Sequence, residues 1–109
     1  MALAMCHTAA MMLRGWLGPE PCHLEPYEAG WASEAVAYLC VHDNQAADFG
    51  LQVVLETSVD GLRWAALRSL EVIGRPGVYR ERVEGFGNWL RARLTAAEPC
   101  CADFYWVLK

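Results

Sequence analysis

The sequence predicts an all-β chain, folded as an antiparallel β-sandwich or jelly roll of about six to eight short strands. Three observations predict this fold class. Segments in which apolar and polar residues alternate are separated by turn residues. Asp60-Gly61 stands between two such segments, and no long helical pattern follows residue 18. At 109 residues, 55% of them hydrophobic, the chain is large enough for one two-layer core.

Three parts are expected along the chain: a hydrophobic N-terminal arm over residues 1–17, a proline-rich loop over residues 18–30, and the β-sandwich over residues 31–109. The arm could dock on a neighbour by adding a strand, or form the first strand of its own sheet, although its Ala, Met and Leu also favour a short helix. No basic residue precedes the apolar run in residues 1–13, so we expect neither a signal peptide nor a membrane span. The loop is expected to wrap one edge or end of the domain.

Residues 51–64, LQVVLETSVDGLRW, predict a β-hairpin. Apolar residues recur at every second position in the first half of this segment, as in a strand that packs on one side. Asp60 and Gly61 supply the turn, because aspartate hydrogen-bonds to nearby backbone and glycine accepts a positive φ. We predict that Trp64 fills the core between two sheets.

Further strands are expected on both sides of this hairpin. Residues 34–42, EAVAYLCVH, are apolar on both faces, which predicts a central strand. Residues 78–84 and 88–95 alternate again, and Gly85-Phe86-Gly87 between them predicts a turn that pairs the two segments. Residues 103–109, DFYWVLK, predict a closing strand.

Charge is distributed unevenly along the chain. Residues 1–60 carry one arginine against eight acidic residues, whereas residues 61–93 carry seven arginines against three. The two parts can neutralise each other within the fold, or they can mate head-to-tail between subunits. The net charge of −4 gives no general attraction to nucleic acid or to an anionic membrane, so we expect neither as a partner.

The sequence carries no pattern that indicates a reaction. Five cysteines without C-x-x-C spacing fit neither a disulfide framework nor a zinc module, and they indicate reduced thiols made in a cytoplasm. No G-x-S-x-G elbow, phosphate loop or dinucleotide fingerprint occurs. We therefore predict no catalytic residue, no cofactor, no metal site and no enzymatic activity.

Arginine and tryptophan predict a contact surface instead. If residues 78–84 pair with residues 88–95, their arginines share one side with Trp89. This cationic aromatic face would dock on an acidic partner surface, or it would be a solvated face tied by Arg–Glu pairs of about 0.2–1 kcal/mol each. Together with the arm and Trp31, the predicted interface residues are Met11, Met12, Trp16, Trp31, Arg80, Arg82, Trp89, Arg91 and Arg93.

Two elements of the sequence resemble small β-sandwich modules of tailed-phage virion, capsid-decorating and injection-machine proteins. In those modules a strand that ends Ser-x-Asp-Gly leads to a tryptophan, as in residues 56–64, and a later strand carries an aromatic-x-Arg run, as in residues 89–93. The likeness covers residues 31–108. It implies a non-enzymatic subunit that decorates, caps or cements a virion-like particle, with other protein subunits and copies of itself as partners. The alternative is a carbohydrate-binding module that stacks sugars on Trp31 or Trp89.

Overall fold

The computed structural model describes residues 8–17, 20–42, 50–72 and 76–109, which form two antiparallel β-sheets packed face to face. The predicted all-β sandwich is confirmed. Nowhere in these four stretches is there a helix with the length and apolarity needed to cross a bilayer.

Nine strands in the described stretches build the two sheets. They are β1 (Thr8–Leu17), β2 (Cys22–His23), β3 (Tyr27–Glu28), β4 (Ala35–Val41), β5 (Leu51–Ser58), β6 (Ala65–Val72), β7 (Gly77–Val83), β8 (Trp89–Ala96) and β9 (Cys100–Leu108). Sheet A has the order β1-β9-β4-β7, and sheet B has the order β2-β8-β5-β6 with β3 also paired to β8.

Strand β1 belongs to the chain's own sheet, which was one of the two alternatives that the sequence left open. It runs antiparallel to β9, from the pair Thr8↔Leu108 to the pair Leu17↔Cys100, with a bulge between Met11 and Leu13. Residues 1–7 of the predicted arm lie outside the described residues.

Residues 20–30 of the proline-rich loop run along the free edge of β8, and residues 18–19 lie outside the described residues. Prolines limit this segment to two strands of two residues each, because a proline cannot donate to the ladder. Between these short strands, the Leu24 N–H donates to the Ala92 carbonyl at 2.9 Å. Further along, the Ala29 N–H donates to the Asn88 carbonyl at 2.7 Å. The segment therefore satisfies backbone groups that β8 would otherwise leave open at the sheet edge.

The pairing predicted between residues 78–84 and 88–95 is wrong. Strand β7 pairs with β4 in sheet A, whereas β8 pairs with β5 in sheet B. Residues 84–88 therefore cross from one sheet to the other instead of closing a hairpin. Strand β4 is central, as predicted, since β9 and β7 flank it.

The predicted hairpin and its first strand are confirmed, with β5 and β6 paired, but the second strand begins at Ala65, beyond the segment 51–64 in which it was expected. Gly61 has φ of +79°, the left-handed conformation that its position was expected to need. One carboxylate oxygen of Asp60 accepts from the N–H groups of Arg63 (3.0 Å) and Leu62 (2.9 Å) and from the Ser58 hydroxyl (3.0 Å). These donors, the Arg63 N–H first among them, hold the pKa of Asp60 far below its usual range.

The core lies between the sheets and is centred on β9. Trp106 and Phe104 are fully buried, with ring centroids 5.4 Å apart at an interplanar angle of 82°, the edge-to-face geometry that aromatic pairs prefer. Trp64 does not fill this core, contrary to the prediction. It precedes β6 and its half-buried ring lies outside sheet B, 4.1 Å from the Arg91 guanidinium carbon.

Gly87 allows the crossing segment to lie tightly against β5, and replacing it by alanine is expected to destabilise the fold. An added Cβ would lie 2.8 Å from the Ser58 carbonyl oxygen, which cannot move without its strand. The Gly87 N–H also donates to the Thr57 hydroxyl at 2.8 Å, and that hydroxyl donates to the Trp89 carbonyl at 2.9 Å. We expect Gly87→Ala to lower the free energy of unfolding by about 1–3 kcal/mol in urea titration.

Gly30→Ala is the matched control for this prediction. Its added Cβ would lie 2.7 Å from Oδ1 of Asn88, which is the end of a side chain that can rotate away. We therefore expect a smaller loss. Equal losses in the two variants would contradict the proposed role of the close approach at Gly87.

Candidate interaction surfaces

The two outer faces of the sandwich differ in chemistry. Side chains alternate along each strand, so every second residue points away from the core. On sheet B the outward residues are mainly polar or charged, and they include Gln52, Val54, Glu56, Ser69, Trp89, Arg91, Arg93 and Thr95. On sheet A they are mainly apolar or aromatic. We call the sheet A set the tyrosine face, and it consists of Met11, Val36, Tyr38, Cys40, Val78, Tyr105 and Val107.

Two tyrosines occupy the centre of the tyrosine face. Tyr38 on β4 and Tyr105 on β9 are direct cross-strand partners, and the pair Val36↔Val107 lies beside them. The face extends to both edge strands. On β1, Met11 is 48% exposed, and on β7, Val78 is 66% exposed. Apolar side chains are therefore accessible across the width of sheet A.

Charged groups border this face where β4 begins and where β7 and β9 end. Arg82 donates to Glu34 and lies 3.5 Å from Glu84, while Lys109 Nζ lies 3.3 Å from Glu34 Oε1. The hydrogen bond from Arg82 lowers the pKa of Glu34, and the same bond raises the pKa of Arg82. Arg80, opposite Tyr38, is exposed and has no carboxylate partner within the described stretches. Arg80 is thus a cation available to a partner.

The other end of the face carries Cys40 beside Asp103. Burial, followed by the Asp103 charge, raises the pKa of the Cys40 thiol, so it stays protonated at neutral pH. Asp103 Oδ1 lies 3.3 Å from His42 Nε2. No three His, Cys, Asp or Glu side chains in the described part of the chain gather as a metal site would require.

On sheet B, Glu56 organises the outward arginines. Its side chain is only 11% exposed, with Arg91 Nε 2.8 Å from Oε1 and Arg93 Nε 3.8 Å from Oε2. Trp64 covers the Arg91 guanidinium as a cation–π partner. Arg91 is therefore held within the fold, which is the Arg–Glu alternative foreseen for this strand.

The predicted cationic aromatic face does not exist as one surface. Arg80 and Arg82 lie on β7 and point outward from sheet A, whereas Trp89, Arg91 and Arg93 lie on β8 and point outward from sheet B. The two sheets cover opposite sides of the core, so the crossing at residues 84–88 separates the two groups.

The other predicted interface residues do not lie together on one surface. Met11 is on the tyrosine face, and Met12, at the bulge in β1, packs against the core. Trp31 is 48% exposed, and the Trp89 ring packs against Gly61 of the hairpin turn. The remaining residue, Trp16, has Cys101 as its register partner in β9.

Sequence reasoning missed Tyr38 and Tyr105. A signal was present, since the strands EAVAYLCVH and DFYWVLK are apolar at both odd and even positions. For EAVAYLCVH this pattern predicts a central strand covered on both faces, whereas DFYWVLK was predicted only as a closing strand. In the structure only one face of each strand meets the core.

No protein-family model and no curated protein matches this chain at the level of sequence. Its fold is nevertheless similar to solved structures. The PBSX exported protein XepA matches with a TM-score of 0.73 and 14% identity over 93% of this chain. The SPBc2 prophage-derived protein YomS matches with a TM-score of 0.59 and 8% identity, covering 94% of this chain and 93% of that one.

A structure of Bacillus endospore appendages, described as disulfide-linked pili, matches with a TM-score of 0.62 and 12% identity, covering 94% of this chain and 85% of that one. The chain spans only 36% of XepA, so it corresponds to about a third of that protein. These likenesses concern the fold. The match to the prophage-derived protein YomS confirms the fold-level resemblance to phage-related modules.

Proposed function

We propose that this chain is a non-enzymatic structural subunit that decorates, caps or cements a larger protein assembly, with the tyrosine face as its main contact surface. The observation that carries the proposal is the apolar outer face of sheet A. An antiparallel sheet with one solvated face normally alternates apolar and polar residues. Here Tyr38, Tyr105 and Val107 occupy positions that solvent would otherwise favour for polar side chains.

The chemistry of this face suits contact with protein. Tyrosine and methionine are enriched at interfaces, and tyrosine buries a large area at a small loss of side-chain freedom. Arg80 at its border can pair with a carboxylate of the partner. Of the residues predicted from sequence, Met11 and Arg80 belong to this contact, whereas Arg91 is held by Glu56 within sheet B.

The structural neighbours support the same kind of role. One, YomS, is a prophage-derived protein, another is the PBSX exported protein XepA, and a third belongs to appendages that form pili. A virion-like particle is therefore the assembly we propose, with other protein subunits as partners. Neither nucleic acid nor membrane is a proposed partner, since the chain carries a net charge of −4.

The test is incorporation into a particle. In a gradient fractionation of the native source, we expect the chain to sediment with a large assembly. The double variant Tyr38→Lys with Tyr105→Lys should release the chain to the top of the gradient. Each lysine places a charged group in a contact that is apolar in the wild-type chain. A wild-type chain that sediments alone under the same conditions would contradict the proposal.

A matched control separates loss of contact from loss of fold. Gln52 and Thr95 are also direct cross-strand partners on an outer face, but on sheet B. Gln52→Lys with Thr95→Lys introduces the same pair of opposed charges there, so the two double variants should lose similar stability. We expect the sheet B variant to remain in the particle.

Trp31 favours the carbohydrate-binding alternative, because nearly half of its side chain is exposed. A stacking platform needs such an open ring. Glycan-array binding that disappears in Trp31→Ala, together with unchanged sedimentation of the Tyr38 and Tyr105 variant, would support that alternative in place of the structural role.

A further inference from the structure

The edges of the two sheets differ in how they are protected. A strand at the edge of a sheet presents unpaired N–H and C=O groups that can pair with another chain. Among the described strands, sheet A ends at β1 and β7, and sheet B ends at β6 and at the short strands β2 and β3. Proteins protect such edges with prolines, charges, short strands or covering segments.

Three of these edges carry protection. The strands β2 and β3 have two residues each, and Pro21 and Pro26 interrupt the segment that contains them. Strands β6 and β7 lie next to each other at one side of the sandwich, where Arg68 Nε on β6 is 3.5 Å from Glu81 Oε2 on β7. This ion pair links the two sheets across their common side. Strand β7 also carries Arg80 and Arg82.

Strand β1 is the least protected of these edges, since a bulge between Met11 and Leu13 and a single charge are all it carries. It is ten residues long, contains no proline, and has one charged residue, Arg14. Strand β9 pairs with one side of it, and none of the other described strands pairs with its second side. A long edge of such low charge is the type of edge that recruits another strand.

We propose that the β1 edge is the contact between two copies of this chain, which pair β1 with β1 antiparallel about a two-fold axis. This inference rests on the proposed structural role and names a partner for it. The pairing joins the two copies of sheet A into one continuous sheet.

A second copy is the occupant that the edge fits best. An antiparallel pair of identical strands is self-complementary under two-fold rotation, so one surface serves both copies. Full overlap of the two strands puts Arg14 opposite Met11 of the second copy, so like charges do not face each other directly. The β7 edge offers a poorer match, because it carries three charged residues in a row and is tied to β6.

The pairing also extends the tyrosine face. Met11 lies on β1 beside Tyr105, and Ala9 lies beside Val107 on the same side. Two copies joined at β1 would therefore place their tyrosine faces on one side of the combined sheet, as a single apolar surface. A dimer of this kind offers a partner particle twice the contact area of one subunit.

Hydrogen exchange on the full wild-type chain tests the contact directly. Exchange would be measured by mass spectrometry at protein concentrations below and above the midpoint of dimer formation in sedimentation equilibrium. We expect amides of residues 8–17 to exchange at least about tenfold more slowly in the dimer, with amides of residues 77–83 unchanged. If dimer formation slows amide exchange in other segments but not in β1, the proposal is overturned. A chain that stays monomeric at every concentration would overturn it as well.

Charge substitutions on exposed positions provide the second test. Ala9→Lys with Met11→Lys adds two charges to β1 in each copy, and we expect the dissociation constant of the dimer to rise about tenfold or more. The matched control is Ser69→Lys with Val78→Lys, which adds the same charges to exposed positions of β6 and β7. Equal weakening by both variants would overturn the assignment to β1.

The outcome is distinguishable from failure of the proposed function. A dimer that forms through another surface, in a chain that still sediments with a particle, rejects the β1 contact and keeps the structural role. A β1 dimer that never enters a particle rejects the structural role and keeps the contact.

Discussion

Replacing Trp106 by alanine should lower the free energy of unfolding by about 3–5 kcal/mol. Trp106 is fully buried between the sheets, and its ring packs edge-to-face against Phe104. The substitution leaves a cavity that the flanking strands β1 and β4 cannot fill without losing their register with β9. Since domains of this size are stable by about 5–15 kcal/mol, much of the fold's stability would be lost. Urea titration followed by far-UV circular dichroism measures the change.

Two further variants control this prediction. Trp31→Ala removes the same side chain from an exposed position and should change stability by no more than about 0.5 kcal/mol. Trp106→Phe keeps an aromatic ring and removes the indole N–H, which has no hydrogen-bond partner in the described part of the chain. The loss of unfolding free energy in Trp106→Phe should therefore be smaller than in Trp106→Ala. A similar loss in Trp31→Ala and Trp106→Ala would show that the core is not centred on β9.

Glu56→Ala should lower the free energy of unfolding by about 2–3 kcal/mol, the second largest effect that we expect. Glu56 is almost buried, and its carboxylate accepts from Arg91 at 2.8 Å. Its removal leaves the Arg91 guanidinium largely covered by Trp64 without its anionic partner. The same urea titration applies, and Glu56→Gln should lose less because the amide oxygen can still accept a hydrogen bond.

The two arginines beside Glu56 form a matched pair for double-mutant cycles. With Arg91, which is mostly buried, we expect a coupling energy of about 1–2 kcal/mol. With Arg93, which is 3.8 Å away and 38% exposed, we expect less than about 0.5 kcal/mol, since solvent screens that pair. Equal coupling energies would mean that Glu56 acts through general charge balance, not through the short contact with Arg91.

Local features of the fold were predictable from sequence, and distant pairings were not. The turn at Asp60 and Gly61 depends on residues within four positions of each other, so the local sequence is enough to predict it. Gly85-Phe86-Gly87 is also turn-like, but a turn between two strands of one sheet and a crossing between two sheets need the same flexible residues. The partner of β7 is β4, more than thirty residues earlier in the chain, and no local pattern specifies it.

The candidate site was predictable only in part for a related reason. Met11 and Arg80 were expected at a surface and lie on or beside the tyrosine face. Tyr38 and Tyr105 were not expected at a surface, because an apolar strand that is covered on both faces has the same composition as one that is covered on a single face. Their accessibility is a property of the whole sandwich, which adds no third layer over sheet A among the described residues.

The position of β9 has a consequence for biosynthesis. This strand is the last of the nine to leave the ribosome, yet in sheet A it lies between β1 and β4, which do not pair with each other. Until residues 100–108 emerge, β1 has no partner among the described strands and the main aromatic pair of the core is missing. Sheet A is therefore completed only after most of the domain has been translated, and the free edges of β1 and β4 need protection from aggregation during that interval.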